Sequence, residues 1–311
     1  MNKSTLSIVI PAYNEEDNLR RTLPEIGAAC ATEGWTLIIV NDGSTDGTAA
    51  AVAEYIAAAG DRGKGCPIVF LSHKVNRGYG GALKTGLRAV STEYAITLDA
   101  DGQHEIGEVV KMLAKIVSAD ADLIVGRRSS SGLNLYRRAG KALIRFTAKR
   151  LLPLPVKDLN SGFKIYRTKI VQRYLNLCPD SMAFSDIVVL VFVGDNRLVR
   201  EIPVRNRKRL GGKSTIGTRT AFETLFEILN IIMLFNPMRI FLPLSLICVA
   251  AGLAWGLPIV LLKRGVSIGA MLIITAGLIF FFVGLVAEQL SSLRKQLLQI
   301  KAHGGDDDQA V

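Results

Sequence analysis

Two long uncharged apolar runs limit what this chain can fold into more than any other feature. Ile240 to Leu262 is 23 residues and Val266 to Ala287 is 22, with no Asp, Glu, Lys or Arg in either. At 1.5 Å per residue, each can cross the ~30 Å hydrocarbon layer of a bilayer. Core helices of soluble proteins seldom run so far without a charge, so two membrane spans are expected. Pro243 and Pro258 stand near the ends of the first run, where a spanning helix tolerates them. Only Lys263, Arg264 and Gly265 part the runs, which predicts a tight helical hairpin with both flanks on one side. Arg219 and Arg239 before it, and Arg294, Lys295 and Lys301 after it, assign that side to the cytoplasm. The Lys263-Arg264 pair in the turn argues weakly the other way. The expectation is an integral protein of the inner or plasma membrane with its N-terminal bulk in the cytoplasm.

Upstream, Phe222, Leu225, Phe226, Leu229, Ile232 and Met233 recur at helical spacing, with Glu223, Glu227 and Asn230 away from them. Residues 218–237 therefore read as an amphipathic helix, lying in the membrane interface or packing on the soluble part. Both readings stand. The polar end, residues 304–311, reads as an irregular tail. The domain plan is thus residues 1–217 as a soluble catalytic domain, 218–237 as the interfacial helix, 238–288 as the hairpin and 289–311 as a cytoplasmic tail.

The remaining two thirds alternate short β-branched runs with helical stretches. Leu6 to Ile10, Thr36 to Val40, Ile68 to Leu71, Tyr94 to Leu98 and Leu123 to Val125 read as strands. Glu15 to Thr32, Gly47 to Ala59, Gly80 to Val90 and Glu105 to Ser118 read as helices. That alternation predicts an α/β fold with a mostly parallel sheet flanked by helices. Ligands of such sheets bind at the carboxyl ends of the strands. Here those ends carry Pro-Ala-Tyr-Asn-Glu-Glu, Asn-Asp-Gly-Ser-Thr-Asp-Gly, Asn-Arg-Gly-Tyr-Gly-Gly and Asp-Ala-Asp-Gly-Gln-His, four polar clusters on one rim.

Asp99-Ala100-Asp101 is the sharpest of these. Two carboxylates leaving an apolar strand supply hard oxygen ligands for Mg²⁺ or Mn²⁺, which favour carboxylates plus substrate phosphate oxygens. Gln103 offers a further oxygen. Asp42, at the end of the second strand, can accept from a nucleobase N–H, while Ser44, Thr45 and Asp46 equally suit a helix start. Asn14, Glu15 and Glu16 equally suit the first turn of the helix they open. Gly78-Tyr79-Gly80-Gly81 lacks the full dinucleotide fingerprint. Gly212-Lys213-Ser214 is no Walker motif, because Arg207 holds the required first glycine position.

The formal net charge is +11, and its basic residues are grouped. Arg127 and Arg128 follow a strand; Arg138, Lys141, Arg145 and Lys149 form a helical stripe; Arg205, Arg207, Lys208, Arg209 and Lys213 precede the amphipathic segment. Beside a membrane such charges face anionic headgroups or a lipid phosphate. No nucleic-acid recognition module accompanies them, so nucleic acid is not an expected partner. Cys30, Cys66, Cys178 and Cys248 show no disulfide or zinc spacing. The first residues run straight into a strand, so no signal peptide is expected.

Together, Pro11 to Glu16, Asn41 to Thr48, Asn76 to Ala82, Asp99 to His104 and Asn160-Ser161-Gly162-Phe163 resemble family 2 glycosyltransferases. Within them they resemble the branch of dolichyl-phosphate mannose synthases and polyprenyl-phosphate glucosyltransferases, over about residues 4 to 220. The resemblance implies a GT-A fold and an inverting, metal-dependent transfer from a UDP- or GDP-sugar to an undecaprenyl- or dolichyl-type phosphate. It further implies that Pro11, Tyr13, Glu15 and Asp42 hold the nucleotide, and that Asp99, Asp101 and Gln103 hold metal and diphosphate. Arg128 would face the phosphates, Arg137 and Lys141 the lipid phosphate, and Arg205, Arg207, Lys213 and Ser214 would close over the site. Arg127 replaces a usual serine, Lys141 stands where serine is frequent, and Asp186 is an uncertain counterpart of an expected acid. The alternative is a glycan or protein acceptor, which would need a catalytic base; a scaffold that only binds nucleotide-sugar is a third reading. Gly269, Gly277 and Gly284 offer a surface for a homo-oligomer.

Overall fold

The computed structural model describes residues 5–60, 65–128, 155–205, 233 and 236–307. They fall into two compact units, one formed by the residues up to 205 and one by Met233 and the residues from 236 onward.

The first unit is built on a seven-stranded sheet. Its strands are β1 (Leu6–Ala12), β2 (Thr36–Asn41), β3 (Ile68–Ser72), β4 (Tyr94–Thr97), β5 (Leu123–Arg128), β6 (Lys164–Arg167) and β7 (Val199–Val204), in the order β3-β2-β1-β4-β6-β5-β7. All neighbours pair parallel except at β6, which runs antiparallel to β4 and β5. The first five strands and the helices α1 (Glu16–Glu33), α2 (Thr48–Gly60), α3 (Tyr79–Arg88) and α4 (Ile106–Ser118) lie where the sequence pattern puts them. Helix α5 (Thr168–Tyr174), helix α6 (Phe184–Gly194), β6 and β7 complete the unit.

Helix α1 shows how local chemistry sets these elements. Leu19, Thr22, Leu23, Gly27 and Cys30 are buried at three- and four-residue steps, the stripe that faces the sheet. Gly34 then takes φ +70° and the Trp35 N–H turns back to the Cys30 carbonyl, ending the helix in a left-handed cap. Cys66 packs against the core cluster that holds Cys30, a long-range meeting the isolated cysteine spacing does not reveal.

Reversal at β6 matters for the rim. With Thr97 opposite Lys164 and Tyr94 opposite Arg167, the start of β6 lies beside the end of β4. The segment before β6 therefore arrives at the same rim from which Asp99 emerges.

The second unit is a pair of helices, α7 (Met238–Leu261) and α8 (Ile268–Asp307). Both contain spans long and apolar enough to cross a membrane, Met238–Leu261 and Ile268–Leu293. Lys263 at φ +55° and Gly265 at φ +89° make the turn. A Cβ on Gly252 would lie 2.5 Å from Ile274 Cγ1, one on Gly277 2.8 Å from Val249 Cγ2, and one on Gly284 2.7 Å from Phe241 Cβ. Gly269 likewise packs on the Trp255 ring. These glycines thus let the two helices of the hairpin approach closely. One correction concerns length. Helix α8 continues past residue 288 to Asp307, where an irregular tail from 304 was expected. Glu288, Gln289, Lys295, Gln296 and Gln299 are good helix formers, and no proline interrupts them.

Candidate active site

The rim begins with two loops stitched to each other. After β1, the Asn14 N–H donates to Ser44 Oγ (3.0 Å) and the Glu15 N–H to Thr48 Oγ1 (2.9 Å). From the loop after β2, the Thr45 N–H donates to Asn14 Oδ1 (2.8 Å) and the Gly47 N–H to Glu16 Oε2 (3.1 Å). Asp46 Oδ1 accepts from the Thr48 N–H (3.0 Å), and Asp46 Oδ2 from the Glu16 N–H (3.3 Å). Burial opposes ionisation of Asp46, but the donors from Thr48 and Glu16 outweigh it and hold the carboxyl below its usual range. Asn14, Glu16, Ser44, Thr45, Asp46 and Thr48 therefore frame the cleft. Glu15 Oε2 accepts from Asn18 Nδ2 (2.5 Å). Pro11 is buried in β1, while the Tyr13 ring is 46% exposed at the rim.

Asp42 is buried, and its acceptors serve the chain itself. Oδ1 accepts from the Arg77 N–H (2.9 Å) and pairs with His73 Nδ1 (2.6 Å); Oδ2 accepts from the Gly78 N–H (2.9 Å). His73 Nε2 continues to Thr85 Oγ1 at 2.9 Å. Gly43, at φ +69°, lets this loop close, because a Cβ there would fall 2.6 Å from the Val75 carbonyl carbon. Asp42 thus fixes the loop between β3 and α3. His73 is a member of this network that sequence reasoning missed, since nothing local ties it to a residue 31 positions earlier.

The paired carboxylates follow β4. Asp101 is 6% exposed and is capped by Gln103, whose N–H lies 3.2 Å from Oδ1 and whose Nε2 lies 2.6 Å from Oδ2. Asp99 accepts from the Tyr79 hydroxyl at 2.9 Å on Oδ1. Ser185 lies near the Tyr79 hydroxyl. Burial, and then the Asp99 charge, push the Tyr79 pKa well above that of an ordinary phenol, so it stays a donor at neutral pH. On its other side the Asp99 carboxylate lies against Gly162, where a Cβ would sit 2.5 Å from Oδ2. Gly162 is held in turn: its carbonyl accepts from Thr97 Oγ1 at 2.6 Å. The fully buried Lys164 ammonium donates to the carbonyls of Leu159 and Ser161.

Asp186 lies in the first turn of α6, one residue after Ser185. The segment leading into that helix is fitted onto the start of α3. A Cβ on Gly80 would lie 2.3 Å from the Pro179 carbonyl oxygen, and one on Gly78 2.6 Å from that of Asp180. Lys84 pairs with Asp180 at 2.6 Å. Arg128 closes β5 opposite Val204, so Arg205 follows at the neighbouring strand end, where it is exposed. Arg127 is committed differently. It faces Glu201 at 3.7 Å, a carboxylate that also receives the N–H groups of Lys157 and Asp158. Arg137, Lys141, Arg207, Lys213 and Ser214 lie outside the described residues, as does most of 218–237.

Among the described residues no three His, Cys, Asp or Glu side chains form a metal cage. Asp99 and Asp101 are two hard oxygen donors on one strand end, a set that suits Mg²⁺ or Mn²⁺ when a diphosphate completes the coordination. The donor chemistry fits.

Residues 7–175 match the family described as glycosyl transferase family 2, and residues 236–293 match the GtrB C-terminal hairpin. An undecaprenyl-phosphate 4-deoxy-4-formamido-L-arabinose transferase of Klebsiella pneumoniae subsp. pneumoniae is 28% identical over 262 residues, which is 83% of this chain and 76% of the relative. The enzyme of the same name from Klebsiella pneumoniae strain 342 is 26% identical over 302 residues, 93% and 88% of the two chains. Among solved structures, glucosyl-3-phosphoglycerate synthase from Mycobacterium tuberculosis, in complex with Mg²⁺ and uridine diphosphate, gives a TM-score of 0.55 at 16% identity. That likeness covers 74% of this chain and 79% of the other, and it speaks for the fold. With the family match spanning more than half of its length and the hairpin match following it, this chain belongs to glycosyl transferase family 2 and is a membrane-anchored glycosyltransferase.

Proposed function

We propose that the enzyme transfers a sugar, with inversion, from a nucleotide-diphosphate sugar to a polyprenyl phosphate at the cytoplasmic face of a membrane. One observation carries the reading: the same chain joins a family 2 domain, with its Asp99 and Asp101 pair, to a membrane hairpin of the GtrB kind. Relatives named for transfer to undecaprenyl phosphate support the acceptor. The excess of Arg and Lys beside the hairpin ends supports the cytoplasmic side.

In this reading the donor nucleotide rests against Pro11, Tyr13 and Glu15, with Tyr13 offering an exposed aromatic face for the base. Asp42 acts on it through the loop it fixes. Asp99 and Asp101 would hold Mg²⁺ or Mn²⁺ beside the donor diphosphate, and Gln103 orients Asp101. Bound there, the ion would offset the negative charge growing on the departing nucleoside diphosphate. A lipid phosphate oxygen attacks the anomeric carbon as the bond from that carbon to the diphosphate breaks on the opposite face. The attacking monoester has a second pKa near ~6, so it is already ionised and needs no strong base. Asp186 is then free to orient rather than to deprotonate. Arg128, Arg137, Lys141, Arg205, Arg207 and Lys213, with the Ser214 hydroxyl, neutralise and align two anions that would otherwise repel.

Purified full-length enzyme given undecaprenyl phosphate, Mg²⁺ or Mn²⁺ and a panel of labelled UDP- and GDP-sugars should place label in the organic phase. Asp101→Ala and EDTA should each reduce that transfer at least ~100-fold, the scale of losing a principal electrostatic stabiliser. Label found only in glycan or protein would move the acceptor assignment to those classes.

A further inference from the structure

Asp99 is held from two sides by groups that belong to neither of the usual diphosphate ligands. The Tyr79 hydroxyl donates to Oδ1 at 2.9 Å, and the Gly162 backbone lies so close to the carboxylate that no side chain could stand there. Tyr79 is itself fixed. Its hydroxyl lies near Ser185, a buried residue at the start of α6. The carbonyls of Pro179 and Asp180, just before that helix, rest on Gly80 and Gly78, the neighbours of Tyr79. The Gly81 N–H donates to the Asp180 carbonyl at 3.1 Å, so the start of α3 and the approach to α6 are tied by backbone as well.

We propose that Tyr79 is a positioning residue, whose hydroxyl sets the Asp99 carboxylate in the orientation that a divalent ion and diphosphate require. This rests on the transferase reading of the site. A carboxylate at a strand end otherwise turns about χ1 and χ2, and each ion-binding event must first restrict it. One donor on one of its four lone-pair sites removes that freedom and leaves the others for an ion.

The test uses the full chain in nanodiscs and reads Mn²⁺ binding by electron paramagnetic resonance, with UDP and, separately, GDP present. Tyr79→Phe keeps the ring and should weaken nucleotide-dependent Mn²⁺ binding about tenfold, the effect of losing one hydrogen bond to a charged group. In transfer assays the Mn²⁺ concentration for half-maximal rate should rise by the same factor, with kcat recovering to within about twofold at saturating metal. Tm without metal should stay unchanged. Mn²⁺ affinity within twofold of wild type in Tyr79→Phe would overturn the proposal. So would a kcat loss that metal does not rescue, which marks a purely structural role. Wild-type protein that binds no Mn²⁺ with either nucleotide would overturn it too. Wild-type protein that binds Mn²⁺ but transfers nothing to lipid overturns only the acceptor assignment.

Discussion

In the catalytic unit Ile8, Ile10, Leu37 and Ile96 are sealed from solvent, whereas in the hairpin Leu246, Ile247, Leu272 and Phe282 point outward. The hairpin buries Ser245, Gly252 and Ala270 instead. The difference follows from the solvent each unit meets. In water, hiding a leucine is the main driving term. In lipid it gains nothing, so two helices associate only where small residues let their backbones approach. Chemistry divides along the same line, since the polar rim of the catalytic unit has no counterpart among the described residues of the two spans.

The largest effect that could break this comparison is a cavity. Ile8→Ala should cost the catalytic unit about 2–5 kcal/mol, because β1 lies mid-sheet and its surroundings cannot collapse. Leu272→Ala, an equal kind of truncation at an outward hairpin position, should change stability by well under ~1 kcal/mol. Urea titration of the rim unit and reversible denaturation in mixed micelles would measure the two. Equal costs would mean that the hairpin buries its large side chains after all, against another protein surface.

Reversing the substitution gives the next effect. Gly277→Leu pushes a side chain into Val249 and the Ser245 carbonyl and should destabilise the hairpin by about 1–3 kcal/mol. Thr275→Leu, two residues away on the exposed side, should be tolerated. Crosslinking adds a second measurement. If Gly277 faced a second copy, Gly277→Leu would abolish a dimer while leaving the hairpin intact, an outcome against the packing described here.

Much of this division was readable in the sequence. The uncharged runs announce the hairpin, and the alternation of β-branched and helical stretches gives the first five strands and the rim with its four clusters. The rest depends on pairings made far along the chain. Lys164-Ile165-Tyr166-Arg167 carries charges at both ends and becomes a strand only by filling the gap between β4 and β5. Ile187 to Val193 is a β-branched run whose buried helix no periodicity distinguishes from a strand. The sequence does not reveal that Asp42 also fixes its own loop, because its partners, Arg77 and Gly78, lie 35 and 36 residues on. Tyr79 stands in a glycine-rich motif that lacks the full dinucleotide fingerprint, and its contact with Asp99 spans 20 residues.

The smallest effect separates the two units by pH. Asp46 is held below the ordinary carboxylate range in the folded state, against ~3.9 for an unfolded Asp. Between those values the unfolded chain binds more protons than the folded one, so this contribution is complete above the unfolded pKa and fades as pH falls through the folded one. Because Asp46 is exposed, solvent screening keeps the contribution small. Asp46→Asn retains an acceptor oxygen for Thr48 but removes the charge and the second acceptor that serves the Glu16 N–H. Its Tm for the catalytic unit should therefore lie slightly below wild type from pH 5 to 7, and the difference should shrink as pH falls through the folded-state pKa. The hairpin transition should be indifferent to the substitution at every pH, since its buried seam of Ser245, Gly252 and Ala270 holds no titratable group. A Tm difference that persists or grows in acid would show that Asp46 acts through shape rather than charge.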